Sequence, residues 1–267
     1  MGGSLTVPLV KRPTKSFNEL AADKISPGRT REVEAIAKQR RCRSAYTAST
    51  QEAISMQPPK FSDDFRRQFR ELLAWRRDVR RFRRQPIDPV IFGELLGLAC
   101  LAPSVGNSQP WRFVLVEDPV RRERIRDIFG RCNDAARATY SGTRAALYGQ
   151  LKLAGLREAP CHLAVFVDEA TAAGHGLGRH TMPETLHYSA VAAVQTLWLA
   201  ARAYGLGVGW VSILEPREVT RVLEVPEDWS LVAYLCVGYP EEEHVDPELE
   251  RHGWQDRLAE DRVVVRR

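Results

Sequence analysis

Cysteine is sparse in this sequence and shows no pairing pattern: Cys42, Cys100, Cys132, Cys161 and Cys236 are odd in number and widely scattered. They form no C-x-x-C pair and no His/Cys ligand spacing, which argues against a disulfide framework or a structural zinc and favours a reducing, cytoplasmic setting. No apolar run approaches the roughly 18 residues that a membrane-spanning helix needs, so no membrane partner is expected. Internal repeats and low-complexity blocks are absent. No G-x-S-x-G elbow supports a hydrolase nucleophile. His175, His180 and His187 match no ligand template, and no metal is expected.

Acidic residues are few at the N-terminus. Residues 1–60 hold 11 Lys and Arg against 5 Asp and Glu, whereas the remainder holds 28 against 29. The net charge of +5 therefore belongs to the extension, and a near-neutral body gives no reason to expect a nucleic-acid partner. Gly2-Gly3, Pro8, Pro13, Pro27-Gly28 and Pro58-Pro59, without a sustained apolar period, mark residues 1–60 as a disordered extension. Its Ser, Thr and Arg content imitates a transit peptide or a basic arm. Residues 61–267 are then one globular domain, long enough for a single sizeable core.

Within that domain Ser62 can cap a helix carrying Phe65, Phe69, Leu72, Leu73 and Trp75 at helical spacing, which delivers Arg76 to Arg80 at its end. Asp88-Pro89 and Asp118-Pro119 are helix starts, a cap followed by proline at the first helical position. Strands are expected at 111–116, 161–167, 210–213 and 231–237. A long helical stretch is expected from Arg121 to Glu158, broken near Gly142 and Gly149, and a central helix, buried on nearly every side, from Glu184 to Tyr204. Helices that flank strands apolar on both faces predict an α+β sandwich around one mostly buried central sheet.

Two segments carry the chemistry. Arg76-Arg77-Asp78-Val79-Arg80 supplies always-charged, bidentate donors, and Ala102-Pro103-Ser104-Val105-Gly106 adds a hydroxyl and exposed backbone amides. Together they offer what a flavin mononucleotide needs, namely cations for the phosphate and hydrogen-bond partners for the polar ring edge. A surface helix ending in arginines to suit its dipole is the plainer reading of the same run. Asp78, neutralised among arginines, suits a proton acceptor, and a structural salt bridge explains it equally well. Ser189, a lone hydroxyl near the start of an apolar helix, either faces a ligand or bonds back to its own helix.

With both segments in view, the chain from about Phe61 to Leu258 resembles the nitroreductase-like flavoprotein superfamily, and within it the oxygen-dependent enzymes that break down reduced flavin. Gln109-Pro110-Trp111, Leu151-Lys152-Leu153, Leu177-Gly178-Arg179, Leu186-His187-Tyr188-Ser189 and the stretch from Ala193 to Ser212 carry the resemblance with the two segments above. The resemblance implies an α+β fold with a central mixed sheet flanked by helices, a homodimer with flavin across the interface, reduced FMN as substrate and dioxygen as co-substrate. The products implied are 5,6-dimethylbenzimidazole, the lower ligand of cobalamin, and erythrose 4-phosphate, with a separate flavin reductase supplying the reduced flavin. Carried over by position, Arg76, Arg77, Asp78, Val79, Arg80, Ser104, Leu153 and Ser189 are flavin contacts, and Asp78 and Ser189 the functional pair. Arg257 in the family-like tail Gly253-Trp254-Gln255-Asp256-Arg257 is a further candidate for the phosphate. A lid over the flavin is expected from 168–183. The alternatives are an NAD(P)H-dependent nitroreductase or flavin oxidoreductase on the same fold, and a non-enzymatic flavin store or nucleic-acid module.

Overall fold

The structure, a computed structural model, describes residues 58–258 and 264–265, so nearly all of the basic extension lies outside the described residues. In chain order the elements are α1 (Asp63–Trp75), α2 (Pro89–Ala99), β1 (Trp111–Leu115), α3 (Pro119–Ala138), α4 (Gly142–Gln150) and β2 (Cys161–Asp168). There follow α5 (Thr185–Ala203), β3 (Gly207–Val211), α6 (Pro216–Leu223), β4 (Trp229–Gly238) and α7 (Glu248–Arg251). The helix starts follow local chemistry. The Ser62 hydroxyl accepts from the Phe65 amide at 3.1 Å, and the carboxylates of Asp88 and Asp118 accept from the Val90 and Val120 amides at 2.8 Å. Each cap satisfies an amide that the first helical turn leaves without a partner.

The four strands form one sheet in the order β1-β2-β4-β3, and every neighbouring pair is antiparallel. A mixed sheet was the expectation; the parallel component is a single bridge between Asp78 and Val208 at the β3 edge. Alternation along the strands divides the core into two layers. Leu163, Val165, Leu235 and Val237 meet Leu95 and Ala99 of α2 and Val194, Leu197 and Ala201 of α5. Ala164, Phe166, Tyr234 and Cys236 face the other way, onto Ile125 and Ile128 of α3 and Val219 and Leu223 of α6.

Three expectations are corrected. The helix does not run to Glu158, because the chain leaves α4 at Gln150 and turns extended at Leu151. Tertiary contacts divert it: Arg80 donates to the Lys152 carbonyl at 3.0 Å, Lys152 pairs with Glu158 at 2.9 Å, and the Phe82 ring occupies the space a side chain at Gly155 would need. The third strand begins at Gly207, inside the run Gly205-Leu206-Gly207-Val208-Gly209, and ends at Val211. The backbone at Asp78 and Val79 crosses it there, with the Val79 amide donating to the Val208 carbonyl at 3.0 Å. A Cβ at Gly209 would lie 2.1 Å from the Val79 oxygen, so that crossing requires glycine. Finally, α5 buries Leu186, Ser189, Ala190, Ala193, Val194, Leu197, Trp198 and Ala201 but leaves Tyr188, Val191 and Gln195 exposed along one face.

Candidate active site

The first cluster forms where α1 ends. Arg76 caps the helix, and its guanidinium stands 5.1 Å from the centre of the Trp198 ring on α5. The Trp198 indole donates to the Arg77 carbonyl at 3.1 Å, pinning the arginine run to the central helix. Arg77 donates to the Val245 carbonyl at 2.9 Å and to the Ala74 carbonyl. Burial, then the like charges of Arg76 and Arg257, hold the Arg77 pKa below its ordinary value, against the opposite pull of Asp246 and Glu250. Leu73, Ala74, Arg77, Val245, Asp246, Pro247, Glu250 and Arg257 line one depression beside this crowding of positive charge.

Asp78 is held from two sides. One carboxylate oxygen accepts from the Trp210 amide of β3 at 2.8 Å and the other from Arg80 Nε at 3.0 Å. Burial nevertheless raises its pKa, outweighing the Arg80 charge and both hydrogen bonds. The result is a carboxyl fixed in position and readier to take a proton than an exposed aspartate, which suits acid-base work. Arg80 spends donors on Asp78 and on the Lys152 carbonyl, so it orients the carboxylate and draws the segment bearing half-buried Leu153 toward the run. Val79 packs its side chain over Gly207.

The second cluster surrounds the N-terminal end of α5. The Ser104 hydroxyl accepts from the Gln109 amide at 3.0 Å, closing a loop in which Gly106, Asn107 and Gln109 all take positive φ. The Ser189 hydroxyl donates to the Thr185 carbonyl at 2.7 Å and accepts from the Val105 amide at 3.0 Å. It therefore bonds back to its own helix and at the same time ties down the Ser104 loop. Gly106 lies against Gly174 of the 168–183 loop so closely that a side chain on either would press on the other's backbone oxygen. The Arg112–Asp168 pair at 2.5 Å anchors that loop at its start. Beside the contact, the Ser108 hydroxyl is buried without a hydrogen-bond partner among the described residues.

The structure thus assembles Arg76, Arg77, Asp78, Val79 and Arg80 in one place, with Leu153 following the Lys152 that Arg80 holds, and Ser104 and Ser189 in another. Both clusters are supported on α5, where Trp198 follows Ser189 by nine residues, about 13 Å along the helix axis. Sequence reasoning missed Trp198, the Trp210 amide and the Val245 carbonyl; the first sits in an apolar helical pattern and the others are backbone groups, which carry no signal of residue type. Among the described residues no three His, Cys, Asp or Glu are grouped to hold a metal ion, and no helix is long and apolar enough to cross a membrane.

An antiparallel sheet lies between two helical layers with the arginine run at its edge, and residues 73–239 of this fold match the family model described as Nitroreductase family: the chain belongs to that family. It is 61% identical over 209 residues, 78% of this chain and 98% of the relative, to a 5,6-dimethylbenzimidazole synthase of Rhodospirillum rubrum. A 5,6-dimethylbenzimidazole synthase of Rhodobacter capsulatus is 48% identical over 198 residues, 74% of this chain and 96% of the relative. Among solved structures, oxidized iodotyrosine deiodinase bound to FMN and 3-iodo-L-tyrosine superposes with a TM-score of 0.58 at 27% identity, covering 74% of this chain and 97% of that one.

Proposed function

We propose that this chain is an oxygen-dependent enzyme that takes reduced FMN as substrate and fragments it to 5,6-dimethylbenzimidazole, the lower ligand of cobalamin, with release of erythrose 4-phosphate. The observation that carries the reading is the 61% identity to a 5,6-dimethylbenzimidazole synthase along almost the whole of that relative. The residues fit the substrate. Burial first, and then the like charges of Arg76 and Arg257, hold the Arg77 pKa down, and a phosphate dianion would offset that like-charge repulsion. When bound, the reduced flavin supplies the electrons that dioxygen accepts.

Asp78 takes and returns protons at the ribityl carbon attached to the ring, and its raised pKa and double anchorage suit that task. The Ser189 proton is engaged by Thr185, so the hydroxyl accepts with its remaining lone pair and donates toward the ring nitrogen and oxygen only after rotating off that carbonyl. Ser104 and Leu153 contact the ribityl chain and the ring. The 168–183 loop, packed on the Ser104 loop, covers the flavin. The site lies between two copies of the chain, the exposed apolar residues of α1 and α5 providing the contact. A separate flavin reductase supplies the substrate in the cytoplasm, and residues 1–60 stand outside the catalytic domain of 61–267.

The test is aerobic incubation of the purified protein with photoreduced FMN, followed by chromatography and mass spectrometry. Wild type is expected to release 5,6-dimethylbenzimidazole, and Asp78→Asn to bind reduced flavin yet release none. If only oxidised FMN is recovered, and the protein oxidises NADPH rapidly with a nitroaromatic acceptor, the fragmentation reading gives way to a nitroreductase.

A further inference from the structure

We propose that Glu248 is a positioning residue: held by Arg81 in the cavity that Asp78 also lines, it keeps a negative charge beside that carboxyl and so sets the pH at which Asp78 takes up its proton. The inference rests on the proposal that Asp78 exchanges protons with the bound flavin, and it adds the residue that tunes the exchange. Chain geometry brings the two carboxyls together. Beyond Val79 the arginine run continues past the end of β4: the Arg83 amide donates to the Tyr239 carbonyl at 2.8 Å, the Glu241 amide donates to the Arg81 carbonyl at 3.1 Å, and Phe82 pairs with Pro240 between them. That ladder starts the acidic segment 241–246 against the run, and α7 follows it. Asp78, Arg81 and Glu248 thereby line one cavity of about 50 Å³, with Trp198, Gly207 and Pro240.

Glu248 is the buried member of the cluster, its side chain 9% exposed, and its carboxylate accepts from Arg81 Nη1 at 2.9 Å. The same nitrogen donates to Glu242 at 3.1 Å, so one cation serves two carboxylates and the trio keeps an excess of negative charge. Beyond the arginine run, the other charges on the cavity are already paired: Arg202 of α5 with Glu243 at 2.7 Å, and Arg251 of α7 with Asp246 at 3.7 Å. His252 and His244 lie 3.8 Å from Glu248 and 3.5 Å from Glu242, and they offset the excess only when protonated. Around Asp78 itself stand Arg80 at 3.0 Å, the flanking Arg76 and Arg77, the Trp210 amide of β3, and the Cys236 thiol of β4, held neutral by burial and by the Asp78 charge. Arg80 and the amide favour the carboxylate. Burial and the charge of Glu248 favour the acid, and together they hold the Asp78 pKa above its ordinary value. Without that anion, an aspartate set among arginines is a weaker base.

The readout is the Asp78 carboxyl itself, followed through an acid titration by carbon-13 NMR of the full chain labelled at aspartate Cγ, with the signal assigned by its loss in Asp78→Asn. Glu248→Gln keeps the shape of the side chain, removes its charge and leaves Arg81 to Glu242; the Asp78 midpoint is expected to move to lower pH. Arg81→Gln strips the neutralising cation from Glu248 and Glu242, and the midpoint is expected to move to higher pH. The double variant should lie between the two, because the opposed changes cancel in part. Glu248→Asp, which keeps the charge, should lie closer to wild type than Glu248→Gln. A clasp with a merely structural role predicts otherwise: breaking it from either side would admit water to Asp78 and lower the midpoint in both single variants. Both midpoints falling, or neither moving, therefore overturns the proposal. Should Arg81→Gln fail to fold, Glu248→Asp decides, since a midpoint equal to that of Glu248→Gln would show that the charge is irrelevant. The carboxyl is read without flavin turnover. Shifts as described in a protein that releases no 5,6-dimethylbenzimidazole would refute the proposed reaction and leave Glu248 its role; unmoved midpoints in a protein that releases it would refute that role alone.

Discussion

His162 is enclosed in the core beside Tyr234, with its Nδ1 3.0 Å from the tyrosine hydroxyl and only 1% of its surface exposed. Burial, reinforced by the charges of Arg122 and Arg126, holds its pKa down to about 3, where an unconstrained histidine has about 6.5. Between those values the unfolded chain binds a proton that the folded chain refuses, so stability rises with pH across this window. The neutral imidazole's contribution is therefore complete above about pH 6.5 and is lost as the pH falls toward 3, at about 1.4 kcal/mol per pH unit. Urea unfolding at pH 7 and pH 5 should show His162→Gln losing roughly 2 kcal/mol less than wild type between the two. Equal losses would mean that His162 does not couple folding to protonation. The same residue scale separates Asp78 from Arg80. Both stood in one arginine-rich motif, yet the first keeps a raised pKa in a fixed carboxyl while the second is committed to holding it.

At the scale of elements, what acts within four residues was legible and what acts across the chain was not. The Asp88-Pro89 and Asp118-Pro119 starts were readable because cap and proline belong to the helix they open. The stretch after Gln150 reads as helix from its own residues; Arg80 and Phe82, about seventy positions earlier, pull it straight. In the site, residue types were visible but partners were not. Asp78 is fixed by an amide 132 positions away, Ser189 by one 84 away, and Glu248 by an arginine 167 away. The glycine run at 205–209 has its reason only in the fold, where the backbone of Asp78 and Val79 passes against β3. Gly209→Ala would set a methyl group against the Val79 oxygen, forcing apart the Val79–Val208 bond and, next to it, the Trp210 amide from Asp78. The expected cost is about 1–3 kcal/mol in urea unfolding, together with weaker flavin binding. Wild-type stability in that variant would show that the crossing has slack.

For the whole molecule, the unfinished feature of a single chain is its apolar surface. Phe61, Phe65, Phe69, Leu73 and Trp75, on or just before α1, are 40% to 56% exposed, and no residue of that helix is buried. Tyr188 and Val191 on the open face of α5 are exposed as well, as are Leu177 and Met182 of the loop that meets the Ser104 segment. A large apolar side chain gains about 1.5–3 kcal/mol on full burial, and soluble monomers rarely leave so many exposed together. A second copy related by a two-fold axis covers such a face with the same face, so each residue buried on one protomer has its counterpart buried on the other. Light scattering coupled to size-exclusion chromatography at micromolar protein should therefore give twice the chain mass of 30.2 kDa. Phe65→Glu with Phe69→Glu should shift the mass to the single value and, if the flavin lies between protomers, abolish flavin binding with it. Loss of the dimer with flavin affinity intact would place the whole site on one chain, and a wild type that is monomeric while binding FMN would remove the interface from the proposal altogether.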